Sequence, residues 1–380
     1  MSGVGLARPV HGMSLDEARP DWPAFTSDEL AEVLRDYPFL HGPLPRVLWS
    51  APRPMSTSAR VGVGDEVLFV KRHHRTVREE ARLALEHRFS DHLRSRGLDT
   101  PRVRRRLDEM SVTSRGEYVY EVFEIARGHD RYAEVPSWLP YLSSEDARGA
   151  GVALAHFHEA SRGFDEPATP WTVLTDSTDL LRSADPRTTL SNLVKERPGL
   201  AVGLAPYPYQ DGMSEILEGP LARARDATRG ESALWTHGDW HPSNMTWMDL
   251  GEVASVIDLS LANRTFALRD LALAIERATV DWLDSAGRGE IGFDEPALRG
   301  LLSGYHSRRP LTPADREVLA ALLPVVHVEF ALSEVEYFAA VTHSGANRDL
   351  AYRGYLLGHV QWFSTPDGQR LLDAVLLENL

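Results

Sequence analysis

The sequence predicts an α+β protein with two lobes, a small β-rich N-lobe and a larger helical C-lobe. A length of 380 residues corresponds to more than one domain at roughly 150 residues per domain. Strand-like segments concentrate before residue 125, and after Gly128 the apolar residues change to helical spacing. We therefore divide the chain into an N-terminal arm (1–25), the N-lobe (26–125) and the C-lobe (126–380).

Within the N-lobe, the pattern predicts five strands and two helices. Thr26-Ser-Asp-Glu29 has the form of a capping box and opens a short helix that runs to about residue 36. Gly64-Asp65 is a hairpin turn between two strands, and Gly97 ends a long helix as its C′ residue. The predicted strands are 46–50, 60–63, 66–71, 102–107 and 117–125, and the long helix is 76–96.

The C-lobe pattern is dominated by helices. Residues 144–161 form an amphipathic helix with Glu145 and Asp146 in its first turn. Residues 165–209, rich in Pro, Asp, Thr and Ser, are expected to form loops and short helices, and 221–228 another helix. Residues 253–257 are the clear strand of this lobe, and helices follow from Asp270 to the end.

Composition excludes several classes of protein. A net charge of −14 makes a nucleic acid a poor partner, because phosphate binding needs a basic face. The absence of cysteine excludes disulfides, thiolate nucleophiles and cysteine-bound zinc. The most apolar stretch, 319–332, is interrupted by Pro324, His327 and Glu329, so we expect no membrane span and a cytoplasmic protein.

The segment from Trp235 to Asn244, WTHGDWHPSN, carries the clearest chemical signal. Asp239, Asn244 and, after the strand 253–257, Asp258 supply oxygen donors, which suit Mg²⁺ better than zinc. A reverse turn between two short strands would bring Asn244 and Asp258 together. One alternative is a metallohydrolase cluster of His237, Asp239, His241 and Asp258, although a third histidine and repeated His-x-His spacing are missing.

The pattern His237-Gly-Asp239-x4-Asn244 followed by Ile257-Asp258 resembles the aminoglycoside phosphotransferase and choline kinase family, over about residues 45–340. The resemblance implies a bilobal protein-kinase-like fold and a small-molecule kinase. It further implies that Asp239 orients the acceptor hydroxyl and takes its proton, and that Asn244 and Asp258 hold Mg²⁺. His237 would brace the catalytic loop by hydrogen bonds. Asp270 matches a family aspartate with a similar bracing role, although it is equally typical of a helix N-terminus.

A kinase also needs a cation on the nucleotide phosphates, held by a helix carboxylate. Lys71 ends a predicted strand and is one of only two lysines in the chain, the other being Lys195. Glu86 is its expected partner, with Glu80 as the second choice.

The remaining nucleotide contacts are implied by the resemblance alone. It implies that residues 51–59 are the phosphate loop, with the hydroxyls of Ser56, Thr57 and Ser58. It also implies that the purine binds the Glu124 carbonyl and the Ala126 N–H. ATP and GTP both stay open as the phosphate donor.

The acceptor is specified least. Four acids of the C-lobe helices would suit an amine-bearing acceptor, namely Asp281, Asp284, Glu329 and Glu336. An antibiotic is the favoured acceptor, because the arginine-rich composition resembles that of antibiotic-producing actinobacteria, in which self-resistance kinases of this family are common. A housekeeping kinase for choline, homoserine or a sugar is the alternative, and a nucleotide-binding pseudokinase is a further one. No nucleic acid or membrane partner is expected.

Overall fold

The computed structural model describes residues 20–38, 44–51, 55–285, 287 and 289–377. The chain divides into two compact units. The first contains residues up to 136 together with 245–248 and 254–260, and the second contains the remainder. Asp258 therefore belongs to the same unit as Lys71, whereas Asp239 and Asn244 belong to the other.

The first unit is built on an antiparallel sheet in the order β1-β2-β3-β5-β4. The predicted hairpin at Gly64-Asp65 is confirmed, since β2 and β3 pair from Thr57–Arg72 to Val63–Glu66. The strands are β1 (Arg46–Ser50), β2 (Thr57–Val63), β3 (Glu66–His74), β4 (Thr113–Arg115) and β5 (Tyr118–Glu124).

The two faces of this sheet carry different helices. Helix α1 (Ser27–Leu34) begins at the predicted Thr26 capping box and shares an apolar cluster with Val70, Tyr120 and Val122. Val119 faces the opposite side and packs against Leu83 of helix α2 (Glu80–Ser95). Because side chains alternate along a strand, Lys71 and Glu121 lie on the α2 side of the sheet.

Two predicted boundaries in this unit were wrong. Helix α2 begins at Glu80 rather than at 76, because residues 76–79 form a turn on the carbonyl of His74 before the helix starts. Residues 102–107 form no strand: Arg104 N–H bonds to Val122 and Glu124 N–H to Arg102, and the sheet is extended instead by β4.

Residues 245–248 join the first unit through a tight crossing with the chain after β5. His129 and Trp247 exchange both backbone hydrogen bonds at 2.9 Å. Gly128 has a φ of +80°, and a Cβ there would lie 2.6 Å from the Trp247 carbonyl oxygen. This position therefore requires glycine on both counts.

The second unit is mainly helical. Its longer predicted helix is confirmed as α3 (Ser144–Ala160), capped by Ser143. The segment 165–209 contains short helices, as expected. The helices are α3, α4 (Asp179–Arg182), α5 (Pro186–Glu196), α6 (Pro198–Leu204), α7 (Tyr209–Glu218), α8 (Pro220–Ala227), α9 (Ala267–Thr279), α10 (Glu295–Arg308), α11 (Pro313–Leu322), α12 (Val328–Glu336), α13 (Gly345–Asp349), α14 (His359–Trp362) and α15 (Pro366–Leu377).

Short strands, absent from the sequence prediction except for 253–257, form two-stranded pairs around residues 234–293. They are β6 (Leu234–Thr236), β7 (Met245–Trp247), β8 (Val253–Val256), β9 (Asn263–Thr265), β10 (Val280–Asp281) and β11 (Gly292–Phe293). Three 3₁₀ turns cover Pro242–Asn244, Leu259–Leu261 and Leu323–Val325, and π-helical turns cover Tyr337–Val341 and Leu350–Gly358.

Two helical segments of the second unit are deeply buried. Helix α9 is buried at every one of its residues, including the charged ones. The segment Pro313–Val341 is long and apolar enough to cross a membrane by composition, but 78% of its most apolar window is buried inside the protein, as in a core helix.

Candidate active site

The first unit brings together two of the residues expected to handle nucleotide. Lys71 Nζ, from β3, lies 2.7 Å from Asp258 Oδ1, although the two residues are 187 positions apart. Burial lowers the pKa of Lys71, but the negative charges of Asp258 and Glu121 outweigh burial and hold it above its ordinary value. Lys71 is therefore a permanently charged ammonium in an enclosed site.

Asp258 is held in a backbone conformation that few residues adopt. Its φ is +61°, in the left-handed region, and it follows strand β8 by two residues. Arg78 donates a hydrogen bond of 2.8 Å to the Ser260 carbonyl oxygen, which fixes the turn on its far side. A non-glycine residue in this region typically marks a functional constraint.

Glu121 is a site residue that the sequence analysis missed. It lies directly opposite Lys71 in the β3–β5 register. His73 Nε2 and His87 Nε2 donate to its two carboxylate oxygens, each at 2.8 Å. Burial opposes ionisation, yet these contacts keep the pKa of Glu121 well below its ordinary value. Side chains alternate along β5, so the pairing of β3 with β5 would have placed the Glu121 side chain beside Lys71.

The expected ion pair between Lys71 and Glu86 is not formed. Glu86 is buried on α2 but binds Arg82 one turn earlier at 2.6 Å. The second choice, Glu80, accepts a hydrogen bond from Ser114 Oγ. Arginine at position 82 competes for Glu86 because residues i and i+4 share a helix face.

The predicted phosphate loop is also revised. Residues 52–54 lie outside the described residues, and Ser56 precedes β2. Thr57 and Ser58 belong to β2, where the Thr57 hydroxyl is occupied by the Pro23 carbonyl and Arg72. Ser58 is buried directly opposite Lys71, so its backbone and not a flexible loop borders the lysine.

The predicted purine contacts lie where the first unit leaves its sheet. Glu124 is the last residue of β5, and its side chain extends toward Arg104 at 3.4 Å. Ala126 follows in an irregular segment before Gly128. Purine binding by these two backbone groups stays a prediction.

In the second unit, the catalytic loop is fixed by Asp270. The backbone N–H groups of His237 and Gly238 donate to its two carboxylate oxygens at 2.9 and 3.0 Å, and His158 Nε2 lies 3.1 Å away. The bracing role expected for Asp270 is therefore confirmed. The His237 Nδ1 atom accepts the Asp239 N–H at 3.2 Å, a contact of the kind expected for His237.

Glycine at position 238 is required by this loop. Its φ is +75°, and a Cβ would lie 2.3 Å from the Leu261 carbonyl oxygen. A larger residue between His237 and Asp239 would therefore collide with the backbone of the second unit.

Asp239 is surrounded by groups that stabilise its charge. Arg277 Nη1 lies 2.7 Å from Oδ1, Asn244 Nδ2 donates to Oδ2 at 2.9 Å, and His241 Nε2 is 3.5 Å from Oδ2. Burial raises the pKa of Asp239, but Arg277 and His241 outweigh burial and hold it far below its ordinary value. The carboxylate stays ionised at any physiological pH and accepts hydrogen bonds strongly.

Arg277 and Glu334 were missed by the sequence analysis. Arg277 lies two helical turns after Asp270 on α9, a spacing that places both on one face. Its guanidinium carbon is 4.0 Å from the centre of the Trp138 ring. Glu334 of α12 is buried, makes no side-chain hydrogen bond or ion pair within the described residues, and experiences the charges of Arg277 and Asp239. Burial raises the pKa of Glu334 to about 8.

The four acids predicted for the acceptor each accept a hydrogen bond or form an ion pair within the chain, and their role at the acceptor stays a prediction. Asp281 accepts from Ser285, Asp284 from the Gly289 N–H and Glu329 from the Leu181 N–H, while Glu336 pairs with Arg197. Asp281 and Asp284 also lie beyond α9, which ends at Thr279. Glu329 and Glu336 anchor the short helices of the 165–209 segment.

The residues expected to hold a divalent cation have suitable donor atoms. Asn244 uses its Nδ2 group for the Asp239 carbonyl and carboxylate, at 2.8 and 2.9 Å, which leaves Oδ1 as a ligand atom. Asp258 supplies a carboxylate. Amide and carboxylate oxygens fit Mg²⁺.

Comparison with known proteins identifies the family of the chain. The family model described as "Phosphotransferase enzyme family" matches residues 56–311. A homoserine kinase from a Caulobacter species is 28% identical over 215 residues, and the match covers 53% of this chain and 58% of that protein. The chain thus spans little more than half the length of this curated relative.

Solved structures show the same fold. A crystal structure of an aminoglycoside phosphotransferase from Alicyclobacillus acidocaldarius is 16% identical with a TM-score of 0.52, covering 90% of this chain and 94% of that one. An amicoumacin kinase in complex with AMP-PNP, Ca²⁺ and its ligand is 13% identical with a TM-score of 0.59, covering 90% and 96%. The α+β kinase-like fold predicted from the sequence is confirmed.

Proposed function

The chain belongs to the phosphotransferase enzyme family, and on this premise we propose that it transfers the γ-phosphate of ATP or GTP to a hydroxyl group of a small molecule. The observation that carries the proposal is the 2.7 Å contact between Lys71 and Asp258. The sequence assigned these residues separately to the nucleotide phosphates and to the metal, and a kinase requires both functions at one place.

In the proposed reaction, the acceptor oxygen forms a bond to the γ-phosphorus as the bond to the β-phosphate oxygen breaks, and the nucleoside diphosphate leaves. Asp239 accepts a hydrogen bond from the acceptor hydroxyl and directs its oxygen. With so low a pKa, this carboxylate is a weak base. Its main contribution is therefore orientation, and it takes the hydroxyl proton late in the transfer, once the bond to phosphorus has made that proton acidic.

Arg277 and Asp270 act through Asp239 and not on the substrate. Arg277 keeps the carboxylate ionised, and Asp270 holds the loop backbone on either side of Gly238. Lys71 would contact the nucleotide phosphates. Asn244 and Asp258 would hold Mg²⁺, which neutralises charge on the transferring phosphate.

For the acceptor we propose an amine-bearing antibiotic. The support is Glu334, a buried carboxyl that makes no side-chain hydrogen bond or ion pair within the described residues and that lies within electrostatic reach of Asp239. With a pKa of about 8, Glu334 mostly carries a proton at neutral pH. An ammonium group of the acceptor would favour loss of this proton and pair with the carboxylate, while a neighbouring hydroxyl meets Asp239. Such a pair is worth more in an enclosed site than at the surface.

Homoserine is the second candidate acceptor, favoured by the names of several curated relatives. Homoserine carries a hydroxyl and an ammonium group, so it satisfies the same two acids. Its carboxylate would in addition need a cation, and the nearby Arg277 is already paired with Asp239.

The test is an acceptor screen with both ATP and GTP, measured as nucleoside diphosphate release and verified by detection of the phosphorylated product. The panel contains aminoglycosides, neutral antibiotics, homoserine, choline and sugars. An amine-bearing antibiotic as the preferred acceptor supports the proposal, and preference for homoserine selects the second candidate. Nucleotide binding without transfer to any acceptor would indicate a pseudokinase.

Two variants test the roles of the acids. Asp239→Asn should bind nucleotide within a few-fold of the parent but turn over about a hundredfold more slowly or worse. Glu334→Gln should raise KM for amine-bearing acceptors by about tenfold while leaving KM for nucleotide unchanged. Normal turnover by Asp239→Asn would remove Asp239 from catalysis, and an unchanged acceptor KM would remove Glu334 from recognition.

A further inference from the structure

A buried cluster of one carboxylate and two imidazoles lies in the second unit, outside the groups assigned to phosphate transfer. Glu276 belongs to α9, His327 immediately precedes α12, and His359 begins α14. One ligand atom from each lies within 4.8 Å of the other two. Glu276 and His327 have no exposed surface, and His359 is 3% exposed.

The orientation of His327 is set by its second nitrogen. His327 Nε2 lies 3.0 Å from the Tyr355 carbonyl oxygen. A carbonyl oxygen only accepts, so Nε2 carries the hydrogen and the neutral ring presents a lone pair at Nδ1. This lone pair faces Glu276 Oε1 at 3.5 Å, and no group in the described residues donates to it.

The other two ligands are held as firmly. His359 Nδ1 and Glu276 Oε1 share a proton in a hydrogen bond of 2.6 Å, and zinc would replace this proton. The His359 ring stacks on Trp282 with centres 3.5 Å apart. The Trp282 indole N–H in turn donates to the Glu276 carbonyl oxygen at 2.8 Å. Outer contacts of this kind fix the ring orientations of metal-binding histidines.

The cluster contains more acceptors than donors. Besides His327 Nδ1, the Glu276 Oε2 atom is buried without a hydrogen-bond partner in the part of the chain that the structure describes. A buried acceptor that nothing satisfies destabilises the folded state. A cation between the three ligand atoms would satisfy the excess lone pairs together.

We propose that Glu276, His327 and His359 bind a structural Zn²⁺ ion. Two imidazole nitrogens and one carboxylate oxygen are a donor set that suits zinc, whereas Mg²⁺ takes oxygen ligands. The site differs from the alternative cluster of the sequence analysis, which used His237, His241 and the acids near them. Because Glu276 precedes Arg277, zinc here would fix the end of α9 that carries the partner of Asp239.

The test is the metal content of the full chain, expressed in zinc-supplemented medium without a histidine tag and measured by mass spectrometry of the metals. The parent should carry about one zinc ion per chain. Glu276→Gln and His327→Gln should lose it, while two control variants, His241→Gln and exposed His343→Gln, should keep it. Retention of zinc by the first pair, or its loss from His241→Gln alone, would overturn the assignment.

A second measurement covers the case in which the ligand variants do not fold. The parent chain is unfolded in denaturant that contains a chelator and is then refolded with or without Zn²⁺. The thermal unfolding midpoints of the two refolded samples are compared. Zinc bound only to the folded state should raise the midpoint. Parent protein that is free of zinc as purified and equally stable after both refoldings would show that a shared proton, and not a metal, occupies the cluster. Neither result depends on phosphate transfer.

Discussion

Replacing Arg277 by glutamine should move the pH dependence of the reaction. In the parent, Arg277 Nη1 is 2.7 Å from Asp239 Oδ1, and this charge holds the pKa of Asp239 far below its ordinary value. Because a depressed pKa keeps the carboxylate ionised, kcat/KM of the parent should show no decline attributable to Asp239 above about pH 4. Without Arg277, burial dominates and the pKa rises.

The size of the shift follows from Coulomb's law. Two unit charges about 4 Å apart interact by about 4 kcal/mol at an effective dielectric constant of about 20, which corresponds to about 3 pK units. Asp239 keeps its hydrogen bond from Asn244, and its side chain is 18% exposed. In the parent the acid limb of kcat/KM lies below the range of the assay. In Arg277→Gln we therefore expect it to rise by about 2 pH units and to appear as a decline at the most acidic pH values measured.

The assay is kcat/KM for the acceptor from about pH 4 to 9, since this parameter reports groups of the free enzyme. Arg277→Lys retains the charge and should keep the parent profile. Arg269→Gln is the matched control, because Arg269 lies on the same helix and forms a buried ion pair with Asp176. That variant should lose stability without shifting the acid limb. A folded Arg277→Gln enzyme with the parent profile would refute the electrostatic role of Arg277.

Three further changes test other parts of the site. Lys71→Arg should lower kcat/KM at least about tenfold, or ~1.4 kcal/mol, because a planar guanidinium cannot replace the enclosed ammonium, whereas exposed Lys195→Arg should match the parent. Asp258→Ala should abolish the Mg²⁺-dependent part of nucleotide binding; equal nucleotide affinity with and without Mg²⁺ in both proteins would contradict the metal assignment. Gly238→Ala should reduce turnover severely while nucleotide binding persists, since its Cβ would collide with the Leu261 carbonyl.

The sequence predicted those parts of the fold that depend on local signals. Thr26 and Glu29 form the expected capping box, and the turn at Gly64 pairs β2 with β3. It failed at 102–107, where apolar alternation is absent and the backbone pairs with β5 over only a few residues. Tertiary hydrogen bonds, which no local pattern records, decided that segment.

The site shows the same division. Asp239 and His237 were proposed because they lie in one short segment with fixed spacing, and Asp270 because it matches an aspartate of the family. Glu121 and Arg277 were not, because each acts across elements distant in sequence. Glu86 was assigned by spacing alone, and Arg82, one turn away on the same helix, takes it as a partner.

Helix α9 fixes both the position and the ionisation of the Asp239 carboxylate. Asp270 and Arg277 lie two turns apart on one face, and they bind the backbone and the carboxylate of the same loop. Arg269 and Glu276, also two turns apart, bind Asp176 and the two histidines of the proposed zinc site. Rotating the helix by one residue would leave four charges buried without partners, at several kcal/mol each. The register of α9 is thus fixed from two faces, and an acceptor meets a carboxylate that is already ionised and oriented.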